Sequence, residues 1–231
     1  MMKKSAPLLL LLSLLTLFSC EQDLYEKGDN EYSYMRADFV EAVVGSNKQV
    51  VYVVTDNDER LLLTAPYTDS WIGRSDTVYR AILYYSNQDD RAKVELMGRV
   101  STLSIKTDSV SVGTWKEKLA DPLGLETAWV SFNKKYLNLG LVLRTGAVDD
   151  ESKIQKLGMH YSSSYINADS TRTVHLLLSH NQGEVPEYYS QRVYVSVPIT
   201  EVPTDTLRVS INTYNGVVTK NFRLTPLNPD R

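Results

Sequence analysis

The chain has 231 residues, 25 Lys and Arg against 28 Asp and Glu, and a single cysteine. One thiol excludes an internal disulfide, and the acidic balance argues against nucleic acid or an anionic leaflet as the main partner, because both are gripped by clustered cations. Fifteen tyrosines stand against four phenylalanines, which suits half-wet sheet faces and binding surfaces, where a ring is buried and its hydroxyl stays hydrated.

The chain begins with Lys3 and Lys4, then a leucine-rich run from Leu8 to Phe18, then Ser19 and Cys20. A positive start, a short apolar stretch, a small residue at the cut and a cysteine directly after it form a lipoprotein signal. The run is shorter than the roughly 20 residues a helix needs to cross hydrocarbon. Residues 1–19 are therefore predicted to be removed and Cys20 to be acylated, anchoring the protein to a membrane by lipid. A plain secretory signal would place no demand on a cysteine at the cut. Loss of Lys3 and Lys4 lowers the formal charge from −3 to −5 and leaves 212 residues. Once Cys20 is acylated, no thiol remains for a cysteine hydrolase or a thiolate metal site.

Residues 20–34 are polar, acidic and aperiodic, as a solvated tether is. Glu21, Gln22 and Asp23 resemble the acidic export signals of surface lipoproteins in Bacteroidetes, which implies the outer membrane, with surface exposure favoured over the periplasmic face. From Met35 onward the hydrophobic pattern has period two, so strands are the main element.

In residues 35–106 about five strands are predicted. Val50 to Val54 and Leu61 to Leu63 form a hairpin around Asp56-Asn57-Asp58-Glu59 that is apolar on both faces, as in a strand pair wrapped into a barrel. Tyr67 to Asp76 is the longest irregular connection, and five strands with a connection after the third suggest a small barrel of the OB type. Val94, Leu96 and Val100 share a phase that Leu103 and Ile105 break, which requires a bulge or bend at Gly98 or near Ser101-Thr102. Patterning lapses from Lys106 to Asp121, the predicted boundary.

Residues 107–231 read as about seven alternating strands, an antiparallel β-sandwich. One hairpin closes over Asn133 to Tyr136 and pairs Phe132 with Leu137 and Val130 with Leu139. Its other face, with Trp129 and Asn138, is predicted to be largely wet. Asp149 to Leu157 is either a short helix or a loop. Asn215-Gly216 suits a two-residue type I′ turn, which sets Val209 opposite Phe222 and Leu207 opposite Leu224.

The whole is all-β: an OB-like five-stranded barrel, then a sandwich. A lipobox, an acidic tether, a first module opening YSYMRADFVEAVVGSNKQVVYVVTDNDERLLL and a second ending TYNGVVTKNFRLTP resemble the NigD-like lipoproteins of Bacteroidetes. The resemblance implies an N-terminal OB domain, a C-terminal β-sandwich and a role in bacteriocin immunity at the cell envelope. It brings no catalytic residues with it.

Candidate chemistry is sparse. No GxSxG, P-loop, GxGxxG or HExxH motif is present. His175 and His180 are five residues apart on one strand and point to opposite faces, so they cannot grip one metal; these and His160 read as ordinary edge or surface histidines. Asp56 to Glu59 resembles the opening of a calcium loop but lacks its glycine and closing glutamate, and acidic residues at turns commonly serve their own backbone. No metal and no cofactor is predicted. Residues 35–106 hold nine Lys and Arg and ten Asp and Glu, so the basic groove of a nucleic-acid-binding OB fold is missing.

Tyr84, Tyr85, Trp129, Tyr188, Tyr189, Arg192 and Tyr194 are the candidate binding surface, because half-exposed aromatics stack on sugars or anchor protein interfaces. The plainer alternative is that barrel and sandwich pack together there. The predicted function is a non-catalytic envelope lipoprotein that binds a protein or other ligand. A glycan-binding or glycan-processing lipoprotein and a structural envelope protein are the alternatives.

Overall fold

The computed structural model describes residues 35–225; the signal, Cys20 and the tether through Tyr34 lie outside the described residues. All strands belong to one unit, Arg36–Arg231. The first five are β1 (Arg36–Val44), β2 (Val50–Thr55), β3 (Arg60–Tyr67), β4 (Thr77–Gln88) and β5 (Arg91–Arg99). They close into a barrel in the order β1-β2-β3-β5-β4, with β4 returning to β1 and β3 meeting β5 in parallel. This is the five-stranded barrel expected from the doubly apolar β2–β3 hairpin. Val40, Val53, Leu63, Leu83 and Met97 fill its interior. The phase break falls within β5, where the pairing with β4 skips Glu95. Met97 thereby turns inward and Leu96 outward, so the bulge precedes Gly98.

Beyond Val100 the chain enters the sandwich, ahead of Lys106. Short β6 (Ser101–Thr102) and β7 (Ile105–Lys106) each join a different sheet. Then come α1 (Val112–Lys118) and strands β8 (Gly124–Val130), β9 (Tyr136–Thr145), β10 (Lys156–Ile166), β11 (Arg172–Asn181), β12 (Tyr189–Pro198), β13 (Thr206–Thr213) and β14 (Gly216–Arg223). One sheet runs β14-β13-β11-β10-β7 and the other β6-β12-β9-β8. The β6–β12, β7–β10 and β11–β13 pairings are parallel and the rest antiparallel. Leu137, Leu139, Leu141, Met159, Leu176, Val195 and Val209 form the core between the sheets.

Helix α1 lies in the segment where patterning lapses, not at Asp149, where the chain only turns before β10. Ser111 caps it by accepting from the Thr114 N–H at 3.2 Å. Its one buried side chain, Trp115, packs on Leu177 and donates its indole N–H to the Leu178 carbonyl at 2.8 Å. One apolar anchor in seven residues leaves too little periodicity to detect.

Two hairpin registers differ from expectation by two residues. In the last hairpin Val209 faces Lys220 and Leu207 faces Phe222, and Tyr214-Asn215 forms the tip. Gly216 alone among the turn residues has positive φ, 104°, so the turn is not type I′ over Asn215-Gly216. Similarly Val130 pairs with Leu137, which leaves Phe132 beyond the strand end and 82% exposed.

Candidate functional site

The face of β8–β9–β12 predicted to be wet is covered by the barrel. Phe39 of β1 meets Trp129 and Tyr194 edge to face, with ring centroids 5.2 and 5.5 Å apart. Below them Arg80 of β4 is buried and ion-paired to Asp56 at 2.7 Å. Arg80 also donates to Ser196 Oγ at 3.1 Å and to Asn138 Oδ1 at 3.1 Å, and lies 4.1 Å from the centre of the Tyr136 ring. Asn138 in turn donates to Asp56 Oδ2 at 3.0 Å. Nearby, Glu41 accepts from Tyr136 at 2.8 Å and from Lys135 at 3.3 Å. Burial, reinforced by Glu41, pushes the Tyr136 hydroxyl up to about 12.

The acidic β2–β3 turn is therefore part of the seam between barrel and sandwich. Asp56 is held by Arg80, and Asp58 accepts from Asn133 at 3.0 Å. Among the described residues no three His, Cys, Asp or Glu side chains gather as a metal site.

The seven aromatic and arginine candidates do not form one surface. Tyr85 is only 1% exposed and points into the barrel, with its hydroxyl on Asp38 at 2.9 Å. Adjacent strand residues face opposite ways, so of Tyr84 and Tyr85 only Tyr84 can face outward. Trp129 and Tyr194 lie at the seam, and Arg192 is clasped by Glu126 across the sheet. Tyr188 and Tyr189 are 80% and 59% exposed at the far end of the sandwich.

That end is the best-built exposed surface among the described residues. The loops at 146–155 and 182–188 are fastened together beneath the tyrosines. Gln155 and Gln182 both donate to the Arg144 carbonyl, at 2.7 and 2.9 Å. Gly183 has φ 61°, and a Cβ there would lie 2.1 Å from the Ile154 carbonyl oxygen, so only glycine lets the loops meet. On this base Val148, Ile154, Tyr188 and Tyr189 are all exposed. A recess of about 260 Å³, lined in part by Leu143, Val148, Ile154 and Val185, opens among the loops. Ion pairs Arg144–Glu187 (3.2 Å) and Lys153–Glu184 (3.6 Å) sit at its rim. Asp150 accepts from the Ser152 N–H at 2.8 Å, and the bonds from Ser152 hold its carboxyl below the usual range. An apolar patch with a charged rim has the anatomy of a protein-binding surface.

The histidines are more buried than expected. His160 and His180 are buried and His175 is half-buried. His175 Nε2 lies 2.8 Å from Ser210 Oγ and His160 Nε2 lies 3.0 Å from Ser179 Oγ. Ser210 is buried, and among the described residues no carboxylate hydrogen-bonds the second nitrogen of either ring. Both pairs lack the orienting acid of a Ser-His-Asp triad.

No family model matches the sequence, and no curated protein matches it. Solved structures do. The chain superposes on a crystal structure from Bacteroides caccae with TM-score 0.57 and 19% identity, covering 82% of this chain and 98% of that one. That structure is of a NigD-like immunity protein, and this chain shares its fold. A protein of unknown function, DUF1344, from Bacteroides vulgatus superposes on this chain with TM-score 0.59 and 17% identity, over 84% of this chain and 93% of that one. A candidate lipoprotein from Bacteroides fragilis superposes on this chain with TM-score 0.53 and 12% identity, over 84% of this chain and 99% of that one. At these identities it is the fold that is shared.

Proposed function

We propose that this chain is a non-catalytic outer-membrane lipoprotein of the NigD-like group, anchored through Cys20, that binds a protein at the sandwich end and protects its cell against a bacteriocin. The observation that carries this reading is the match to a NigD-like immunity protein across nearly all of that protein's length. The second support is the exposed patch at Tyr188, Tyr189, Ile154 and Val148. Asp121, Asp150, Glu184 and Glu187 outnumber Arg144 and Lys153 around it. The partner's contact surface is therefore apolar at its centre and basic at its edge.

Deleting the gene and challenging the cells with bacteriocin-producing neighbours tests the role: sensitivity should rise and return to normal on complementation. Unchanged survival across a broad panel removes the immunity reading. Complementation with Tyr188→Ala/Tyr189→Ala should fail if this end makes the contact. Protease shaving of whole cells tests surface exposure, since a protein that survives treatment that degrades surface markers faces the periplasm. A glycan-binding function remains the second reading because two exposed tyrosines stand beside carboxylates; binding of envelope glycans, lost in the same double variant, would replace the first reading.

A further inference from the structure

The barrel covers the outer face of the four-stranded sheet, and α1 covers Leu177 on the outer face of the five-stranded one. Away from α1 this second face turns polar. Across one row Arg223 faces Thr206, which neighbours Thr173, which faces Tyr165; across the next, Asn221 faces Arg208, which neighbours His175. All of these but His175 line a recess of about 310 Å³.

Arg208 and Arg223 stand diagonally on β13 and β14, a spacing of roughly 7–8 Å across which long side chains reach one another. Arg80, Arg144 and Arg192 each have a carboxylate partner. Neither Arg208 nor Arg223 has a side-chain hydrogen bond or ion pair among the described residues. The nearest acid in the recess, Asp169, accepts from both the N–H and the hydroxyl of Thr171, at 3.1 and 2.6 Å, and feels the charge of Arg223 without forming an ion pair with it. Burial and then the charge of Arg208 keep His175 below its ordinary value, so it adds no third cation at neutral pH. Two adjacent guanidiniums without a hydrogen bond or close ion pair repel each other, and their planar forks match the oxygens of a carboxylate, sulfate or phosphate ester. Beside them the Thr206 hydroxyl, the Asn221 amide and the exposed Tyr165 ring offer polar and stacking contacts. The volume lies at the small end of ligand sites and suits one sugar ring rather than an oligomer.

We propose that Arg208 and Arg223 bind the oxyanion of a charged monosaccharide unit, whose ring lies against Tyr165 and Thr206. This site is on a different sheet from Tyr189, so its failure leaves the immunity reading intact.

Calorimetric titration of the full chain in detergent with glucose 6-phosphate and glucuronic acid tests it, with glucose and inorganic phosphate as the single-feature probes. Saturable one-to-one binding of a charged sugar is expected, weakened by salt. Binding should fall about tenfold or more in Arg208→Gln and in Arg223→Gln, and stay unchanged in Arg192→Gln. No saturable binding of either charged sugar at millimolar concentration overturns the proposal. So does parental affinity in both glutamine variants, and so does glucose or inorganic phosphate binding as tightly as the charged sugar.

Discussion

The seam between barrel and sandwich and the far end of the sandwich use the same ingredients and put them to opposite uses. Each has aromatic rings beside an arginine–carboxylate pair: Phe39, Trp129, Tyr194 and Arg80–Asp56 at the seam, Tyr188, Tyr189 and Arg144–Glu187 at the end. At the seam Arg80 is buried and Asp56 mostly so, and the pair is tied to Asn138 and Ser196, so removing one partner leaves a largely buried charge unpaired. At the end both side chains of the pair are about half exposed, 48% and 45%, and water and salt screen them. Residue type therefore does not separate structural aromatics from available ones. What separates them is whether another sheet lies on top.

The largest test of that contrast is Arg80→Ala. It leaves Asp56 partly buried without its cation and should cost about 3–5 kcal/mol, lowering Tm on the order of 10 °C in a thermal melt. Arg144→Ala, which breaks the solvent-screened pair, should cost at most about 1 kcal/mol; equal losses in the two variants would erase the distinction.

Next is Gly183→Ala. Backbone strain at positive φ costs about 1–3 kcal/mol, and the clash with Ile154 should part the two loops. Hydrogen exchange should rise at 146–155 and 182–188 while the seam stays protected. Unchanged exchange in those loops would show that they are not fastened as described.

A narrower effect concerns alkaline pH. Tyr136 has a folded pKa of about 12 against an ordinary 10.0, raised by burial first and Glu41 second. The folded state holds that proton longer than the unfolded chain, so the stability it contributes is complete below pH 10 and is lost as pH rises toward 12. Tyr136→Phe should flatten this part of the stability profile. A profile of the same slope in the variant would assign the loss elsewhere.

The smallest expected effect is on the stability of Tyr188→Ala and Tyr189→Ala, within about 0.5 kcal/mol because both side chains are exposed. These variants should nonetheless lose partner capture, which the comparison requires if this end, and not the seam, makes contact.

Much of the fold was legible from alternation. The doubly apolar β2–β3 hairpin announced a barrel, and single-faced alternation in the second half announced a sandwich. The two hairpin errors have a common origin. A shift of one residue would invert every side chain, whereas a shift of two keeps each residue on its face. The pattern that places Val209 with Phe222 on the core side therefore fits Leu207 opposite Phe222 equally well, and the turn decides. Helix α1 was illegible because its stability comes from Trp115 packing on Leu177, a tertiary contact. The candidate site was only partly legible. Tyr188 and Tyr189 stood out, but Val148 and Ile154 join them through loops that meet only in space, and Arg80 carried no local signal at all.

By itself the sequence determined that the chain folds into β-modules, because side-chain direction along a strand repeats every two residues and hydrophobic burial reads that period directly. Only the tertiary structure decided which wet-looking face is covered and which aromatics remain free. Covering a face depends on a second module docking from elsewhere in the chain, and no residue's neighbours in sequence record that event.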